Sequence, residues 1–144
     1  MNNIIIRHPC ENEVERMFDL RWKVLKEPWN QPRGSEKDER DRKENGVHHF
    51  IAVINEEIVG TARFHTCNEF EGMIKYLCVD EHYRGQNVGK ALLQHIEKFS
   101  ISLGIQYLKL NAQNNTLSLF EKLEYEVIGH NGIPIMGKPI LKLP

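Results

Sequence analysis

With 144 residues the chain is long enough for one compact domain with a real core and too short for two, so residues 1–144 are expected to form a single unit. A net charge of −1 removes the usual basis for binding nucleic acid or an anionic membrane surface, and neither partner is expected. No stretch approaches the roughly 20 apolar residues of a membrane span.

The amino terminus stops being apolar after Ile4-Ile5-Ile6, where Arg7-His8-Pro9 follows, and so does not read as a secretory signal. The three cysteines, Cys10, Cys67 and Cys78, form no CxxC pair and no Cys/His spacing suited to zinc, so no metal is expected. Free thiols in a reducing cytoplasm are the plain reading.

In chain order, residues 4–7 read as a short buried strand. Over 13–25, Val14, Met17, Phe18, Arg21 and Leu25 fall on one helical stripe, and Pro28 should end that helix at or before Glu27. Residues 31–46 are strongly charged, with Pro32 and Gly34 as breakers and Ser35 as a candidate cap. A short solvated helix is expected over 36–43. Strands follow over 49–54 and 58–65, joined by a hairpin turn at Asn55-Glu56-Glu57. A third strand covers 73–79 and a helix 88–103, with Gly104 just past its end. Residues 105–112 return to strand, 116–123 form a short helix, and 125–128 and 135–143 close the chain as strands. Pro134 and Pro139 suit a sheet edge. The fold class is α/β or α+β with a mixed sheet.

The chemistry concentrates in Leu77-Cys78-Val79-Asp80-Glu81-His82-Tyr83-Arg84-Gly85-Gln86-Asn87-Val88-Gly89-Lys90. A strand runs into a turn and a helix begins at once. The first turn of a helix has unpaired N–H groups and a partial positive charge, which together hold a phosphate. Gly85 and Gly89 let the backbone approach an anion closely, Asn87 tolerates a left-handed conformation, and Arg84 and Lys90 add charge. The segment is neither a P-loop nor a dinucleotide fingerprint, because GxxxxGK[ST] and GxGxxG are both absent.

These residues resemble the GNAT superfamily of acyl-CoA N-acyltransferases, whose signature is [Q/R]-x-x-G-x-[G/A]. Arg84-Gly85-Gln86-Asn87-Val88-Gly89 matches its first and last positions, with Asn87 where the family has its middle glycine. Asn115-Thr116-Leu117-Ser118-Leu119-Phe120-Glu121-Lys122-Leu123-Glu124-Tyr125 is similar to the family's later N-x-x-A segment, and the order of elements agrees over nearly the whole chain. Arg21-Trp22-Lys23-Val24-Leu25-Lys26-Glu27-Pro28 with Gln31-Pro32-Arg33-Gly34-Ser35-Glu36 resembles a poorly assigned bacterial subgroup. That subgroup's Ile-Pro-His tail is here Ile133-Pro134-Ile135.

The resemblance implies a six- to seven-stranded mixed sheet flanked by about four helices, and transfer of an acetyl group from acetyl-CoA directly to a primary amine of a small molecule or peptide. It implies that Leu77, Cys78 and Val79 hold the pantetheine arm by their backbone. The pyrophosphate would then fall to Arg84, Gly85, Gln86, Asn87, Val88, Gly89 and Lys90, with Asn115, Phe120 and Lys122 beside the coenzyme. The acceptor would meet Arg21, Trp22, Trp29 and Gln113. A buried Arg21 needs a carboxylate, either the acceptor's or an internal one. His65, then His49 and Glu44, are the candidate proton acceptors, an ordinary imidazole titrating near neutral pH. Phe120 stands where the family has a tyrosine acid, which leaves a CoA-binding sensor with little catalysis as the alternative function. Edge strands of this fold often pair, so a homodimer is a further expectation.

Overall fold

The computed structural model describes residues 3–42, 46–112 and 116–141. Seven strands form one sheet: β1 (Ile5–Arg7), β2 (Val47–Ile54), β3 (Glu57–Thr66), β4 (Glu71–Val79), β5 (Tyr107–Asn111), β6 (Glu126–His130) and β7 (Pro134–Pro139). Their order across the sheet is β1-β2-β3-β4-β5-β7-β6. Every neighbouring pair is antiparallel except β4 and β5, which run parallel. A parallel pair needs a crossover, and helix α2 (Val88–Ser102) supplies it. Helices α1 (Val14–Leu25) and α3 (Leu117–Lys122) complete the α-helical set among the described residues. Four 3₁₀ segments accompany them.

The two faces of the sheet are buried differently. On one, α2 lays Val88, Leu92, Leu93 and Ile96 over Phe50, Ala52, Phe64 and Ile74, and Phe120 of α3 joins the same core. Each fully buried aliphatic or aromatic side chain there stabilises the fold by roughly 1.5–3 kcal/mol. On the other, Met17 and Phe18 of α1 cover Ile51 and Val53. Arg21 and Arg63 are also fully buried beneath α1.

Several expectations change. The charged run does not form a solvated helix over 36–43. Its described part holds a 3₁₀ turn at Glu39–Arg42, and Glu36 is buried. Asp38 and Asp41 are drawn inward by the buried Arg63 and Arg21, and that pairing overrides helix propensity. The hairpin turn is two residues, Asn55 and Glu56, at φ 49° and 68°, a type I′ geometry matching strand twist. Glu57 already pairs with Ile54. β7, bracketed by its prolines, lies inside the sheet between β5 and β6 instead of at its edge. Both prolines stand at strand ends, where a missing donor costs little.

Candidate active site

The parallel pair separates partway along. β4 and β5 are in register from Glu71↔Tyr107 to Ile74↔Leu110, and no further. Beyond that point β4 continues to Val79 against β3 alone, while β5 carries on against β7. The β4 edge from Lys75 to Val79 therefore faces an opening with unpaired backbone groups. Such an edge accepts an extended amide-bearing chain as an added strand.

Within that stretch β4 is irregular. Arg63 faces Lys75 and Thr61 faces Cys78, so Tyr76 and Leu77 together oppose the single residue Ala62. This is a β-bulge, with Tyr76 at φ 58°. Leu77 and Val79 pack toward the α2 core, as alternation after the bulge requires. Cys78 is buried on the opposite face, and burial pushes its thiol up to about 12, which rules it out as a neutral-pH nucleophile.

β4 delivers the chain to the turn at 80–87. Asp80 caps a 3₁₀ turn at Glu81–Tyr83, its carboxylate accepting from the His82 amide at 2.9 Å. Gly85 has φ 80° with nothing near an added Cβ, and Asn87 takes φ 67° as the residue before α2. The side chain of Asn87 does not cap the helix, and the first turn holds no acidic residue. The amides of Val88, Gly89 and Lys90 thus lack intrahelical acceptors and internal substitutes.

Gly89 tests whether this turn fits an anion. A Cβ there would make only ordinary contacts, 3.8 Å to Val79 Cγ2 and 3.9 Å to Leu119 Cδ2. Its φ is not in the left-handed region, and Ala would favour the helix by about 1 kcal/mol. Nothing inside the chain requires glycine at this position. The missing side chain leaves the backbone open to close approach from outside, and Arg84, Lys90 and Lys122 are exposed to add charge. The turn fits a pyrophosphate.

The α1 face opposite the bulge is polar and closed. Arg63 donates to both oxygens of Asp38, at 2.5 and 3.0 Å, and lies 3.2 Å from Asp41. Arg21 donates to Asp41 Oδ2 at 3.0 Å and to the Glu36 carbonyl at 3.1 Å. The internal carboxylate, not an acceptor's, is Arg21's partner. Burial alone would raise the Asp38 carboxyl, but the Arg63 guanidinium and the Tyr76 hydroxyl outweigh it and hold it well below the usual range. Sequence reasoning missed Asp38, Asp41, Arg63 and Tyr76 as one assembly. The available signal was Thr61, Arg63 and His65 alternating on one face of an otherwise apolar strand.

The histidines expected as bases lie at this assembly. His49 has Nδ1 3.5 Å from Arg21 and Nε2 3.6 Å from Asp41. Burial, then the Arg21 charge, pushes its pKa down to about 4. His65 is 6% exposed and its Nδ1 has no hydrogen-bond partner. Burial, then the charges of Arg40, Arg63 and Lys75, pushes it down to about 4 as well. Both rings are neutral at pH 7, and both are weaker bases than an ordinary imidazole.

Phe120 is buried in the α2-side core, 6.2 Å from the Tyr125 ring, and Leu119 is the α3 residue next to Gly89. Tyr125 donates to Glu97 at 2.8 Å and Tyr76 to Asp38 at 3.0 Å. Neither hydroxyl is free for the opening. Trp22 donates its indole N–H to the Gln31 carbonyl at 3.1 Å with Arg33 stacked on it, while Trp29 is exposed. Glu44, Gln113 and Asn115 lie outside the described residues. Among the described residues no group of His, Cys, Asp and Glu could hold a metal ion, and no helix is long and apolar enough to cross a membrane.

The site is thus a mixed sheet whose one parallel pair splays beside an uncapped, glycine-bearing helix start. The sequence model of the acetyltransferase (GNAT) family matches residues 14–125. A Bacillus subtilis (strain 168) protein named "Putative acetyltransferase" is 28% identical over 128 residues, covering 86% of each chain. The structure superposes with a TM-score of 0.80 on an aminoglycoside 6'-N-acetyltransferase complexed with coenzyme A, at 19% identity, over 97% of this chain and 99% of that one. It superposes equally, TM-score 0.80 at 19% identity, on the ribosomal-protein-S18-alanine N-acetyltransferase of Escherichia coli, over 99% and 97%. This chain belongs to the acetyltransferase (GNAT) family. It is accordingly an acyltransferase with acetyl-CoA as its donor.

Proposed function

We propose that the chain transfers the acetyl group of acetyl-CoA directly to a primary amine of a small molecule or peptide, with the donor in the opening between β4 and β5. The observation that carries this reading is Gly89, whose missing side chain serves no internal purpose. In this reading the backbone of Leu77, Cys78 and Val79 pairs with the pantetheine arm. The amides of residues 84–90 hold the pyrophosphate, with Arg84, Lys90 and Lys122 contributing charge; Phe120, buried in the core, leaves Leu119 as the α3 side chain beside the site. The bulge at Tyr76 and Leu77 presents a backbone amide to the thioester carbonyl, stabilising the charge that develops there. Holding the two reactants together supplies much of the remaining rate.

The acceptor enters from the α1 side, beside Trp22, Trp29 and Gln113. A cleft of about 540 Å³ there is lined by Phe18, Gly34, Lys37, Asp38, Glu39 and Asp41. His65, with a free nitrogen and no charge, accepts the proton of the attacking amine, and His49 supports the same face. With both tyrosine hydroxyls committed elsewhere and Phe120 unable to donate, water protonates the leaving thiolate. The reaction takes place in the cytoplasm.

Release of free thiol from acetyl-CoA across a panel of small and peptide amines tests this reading. Turnover on at least one primary amine, lost in Gly89→Glu, is the expected result. Tight acetyl-CoA binding with no turnover on a broad panel would favour a sensor instead.

A further inference from the structure

The polar assembly under α1 stands beside an apolar part of the same face, where Met17 and Phe18 cover Ile51 and Val53. Four charged side chains, Arg21, Arg63, Asp38 and Asp41, converge instead where β4 loses its parallel partner. Desolvating them gains less stability than apolar packing of the same volume would. Three of them contact one half-buried side chain, Tyr76.

Tyr76 occupies a backbone conformation that favours glycine or asparagine, at φ 58°. Two guanidiniums lie over its ring, the Arg21 carbon 4.4 Å and the Arg63 carbon 5.0 Å from the ring centroid. Its hydroxyl donates to Asp38 Oδ2 at 3.0 Å, and burial, then Asp38, pushes its pKa up to about 12, so it stays protonated and keeps donating. Asp38 is fixed in turn by both Arg63 nitrogens and by the Arg40 amide at 2.9 Å. The bulge peptides have no strand to pair with on the β5 side. β3 holds β4 on either side of the bulge, at Lys75 and Cys78, so between those points the contacts of the Tyr76 ring are what bear on the orientation of the bulge peptides.

We propose that Tyr76 is a positioning residue: clamped by Asp38, Arg63 and Arg21, it aims the β4 bulge amide at the donor's thioester carbonyl. This rests on the reading that the donor lies in the β4–β5 opening. It couples the acceptor-side segment carrying Asp38 to the acyl-side backbone, so that the two substrates meet a single rigid unit. No bond is made or broken by Tyr76 itself.

The test uses Tyr76→Phe, which keeps the ring and removes the tether, and Tyr76→Gly, which keeps the backbone conformation and removes the clamp. Asp38→Asn removes the charge on the tether. Each folded variant is read three ways: kcat against KM for acetyl-CoA, CoA affinity by calorimetry, and the infrared carbonyl stretch of bound 1-¹³C-acetyl-CoA without acceptor. We expect kcat to fall roughly 10- to 100-fold, the range for a misdirected transition-state contact. KM and CoA affinity should stay within about twofold, as uniform binding is untouched. The carbonyl stretch, lowered on binding to the unaltered protein, should return toward its free value. An unchanged stretch and kcat in Tyr76→Gly or Tyr76→Phe would overturn the proposal and leave the clamp as packing. Gly89→Glu separates the two levels: if it retains CoA affinity, the location of the donor is wrong and the proposal falls with it.

Discussion

Two short charged segments flank this site, and they solve opposite problems. Residues 34–42 close over the α1 face with their side chains: Asp38 and Asp41 are consumed by Arg63 and Arg21. Residues 84–90 do the reverse, leaving Arg84 and Lys90 exposed and the helix-start amides uncapped. The first segment spends Asp38 and Asp41 on internal ion pairs, while the second leaves its cations to solvent. Charge content alone would point to the first, with seven charged residues of nine against two of seven, yet it is the first whose charges are paired internally.

The sharpest way to break that contrast is Arg63→Met. It leaves Asp38, whose side chain is 32% exposed, without its guanidinium and Asp41 with Arg21 alone, and the expected loss of stability by urea unfolding is about 3 kcal/mol, the low end for a broken buried pair. A loss below about 1 kcal/mol would mean that residues 34–42 are not held as described. Next comes Gly89→Glu, expected to leave the free protein's stability nearly unchanged. CoA at 100 times its Kd should stabilise the unaltered protein by ~2.7 kcal/mol, and that thermal shift should vanish in the variant.

A smaller effect follows from the buried neutral histidines. Their folded pKa of about 4 lies below the ordinary unfolded value of about 6.5, so between these limits the unfolded chain binds more protons than the native one. Stability should therefore be full above about pH 6.5 and decline as pH falls toward 4. For His65 the decline is on the order of 2 kcal/mol, and His65→Gln should flatten the profile of unfolding midpoint against pH. Smallest of all, Gly85→Ala places a Cβ in open space but at φ 80°, and should cost about 1–2 kcal/mol of stability that Gly85→Asn largely spares. Equal midpoints for the two variants would show that the turn relaxes out of its left-handed form.

The signature turn was legible in the sequence because its information is local. Gly85, Asn87 and Gly89 are special for their own backbone, and a strand before and a helix after them fix where they point. The helices α1 and α2 were legible for the same reason, through their apolar periodicity. The charged run was misread because composition reports that a residue is charged and not whether its partner is near; Arg63, 25 residues after Asp38, decides that. Pro134 and Pro139 suggested an edge because proline cannot donate within a ladder. Their place at the two ends of β7 lets that strand sit inside the sheet.

By itself, then, the sequence determined the order of elements and the class of sheet, and pointed to residues 84–90 as an anion site, since each reading depends on residues adjacent in the chain. The tertiary structure alone decided that β4 and β5 part after Ile74 and Leu110, that Tyr76 bends the freed strand, and that Arg21 and Arg63 meet Asp38 and Asp41 behind it. Those facts depend on which distant strands lie side by side and which charges are buried together, and burial is a property that a residue acquires only from its neighbours in space.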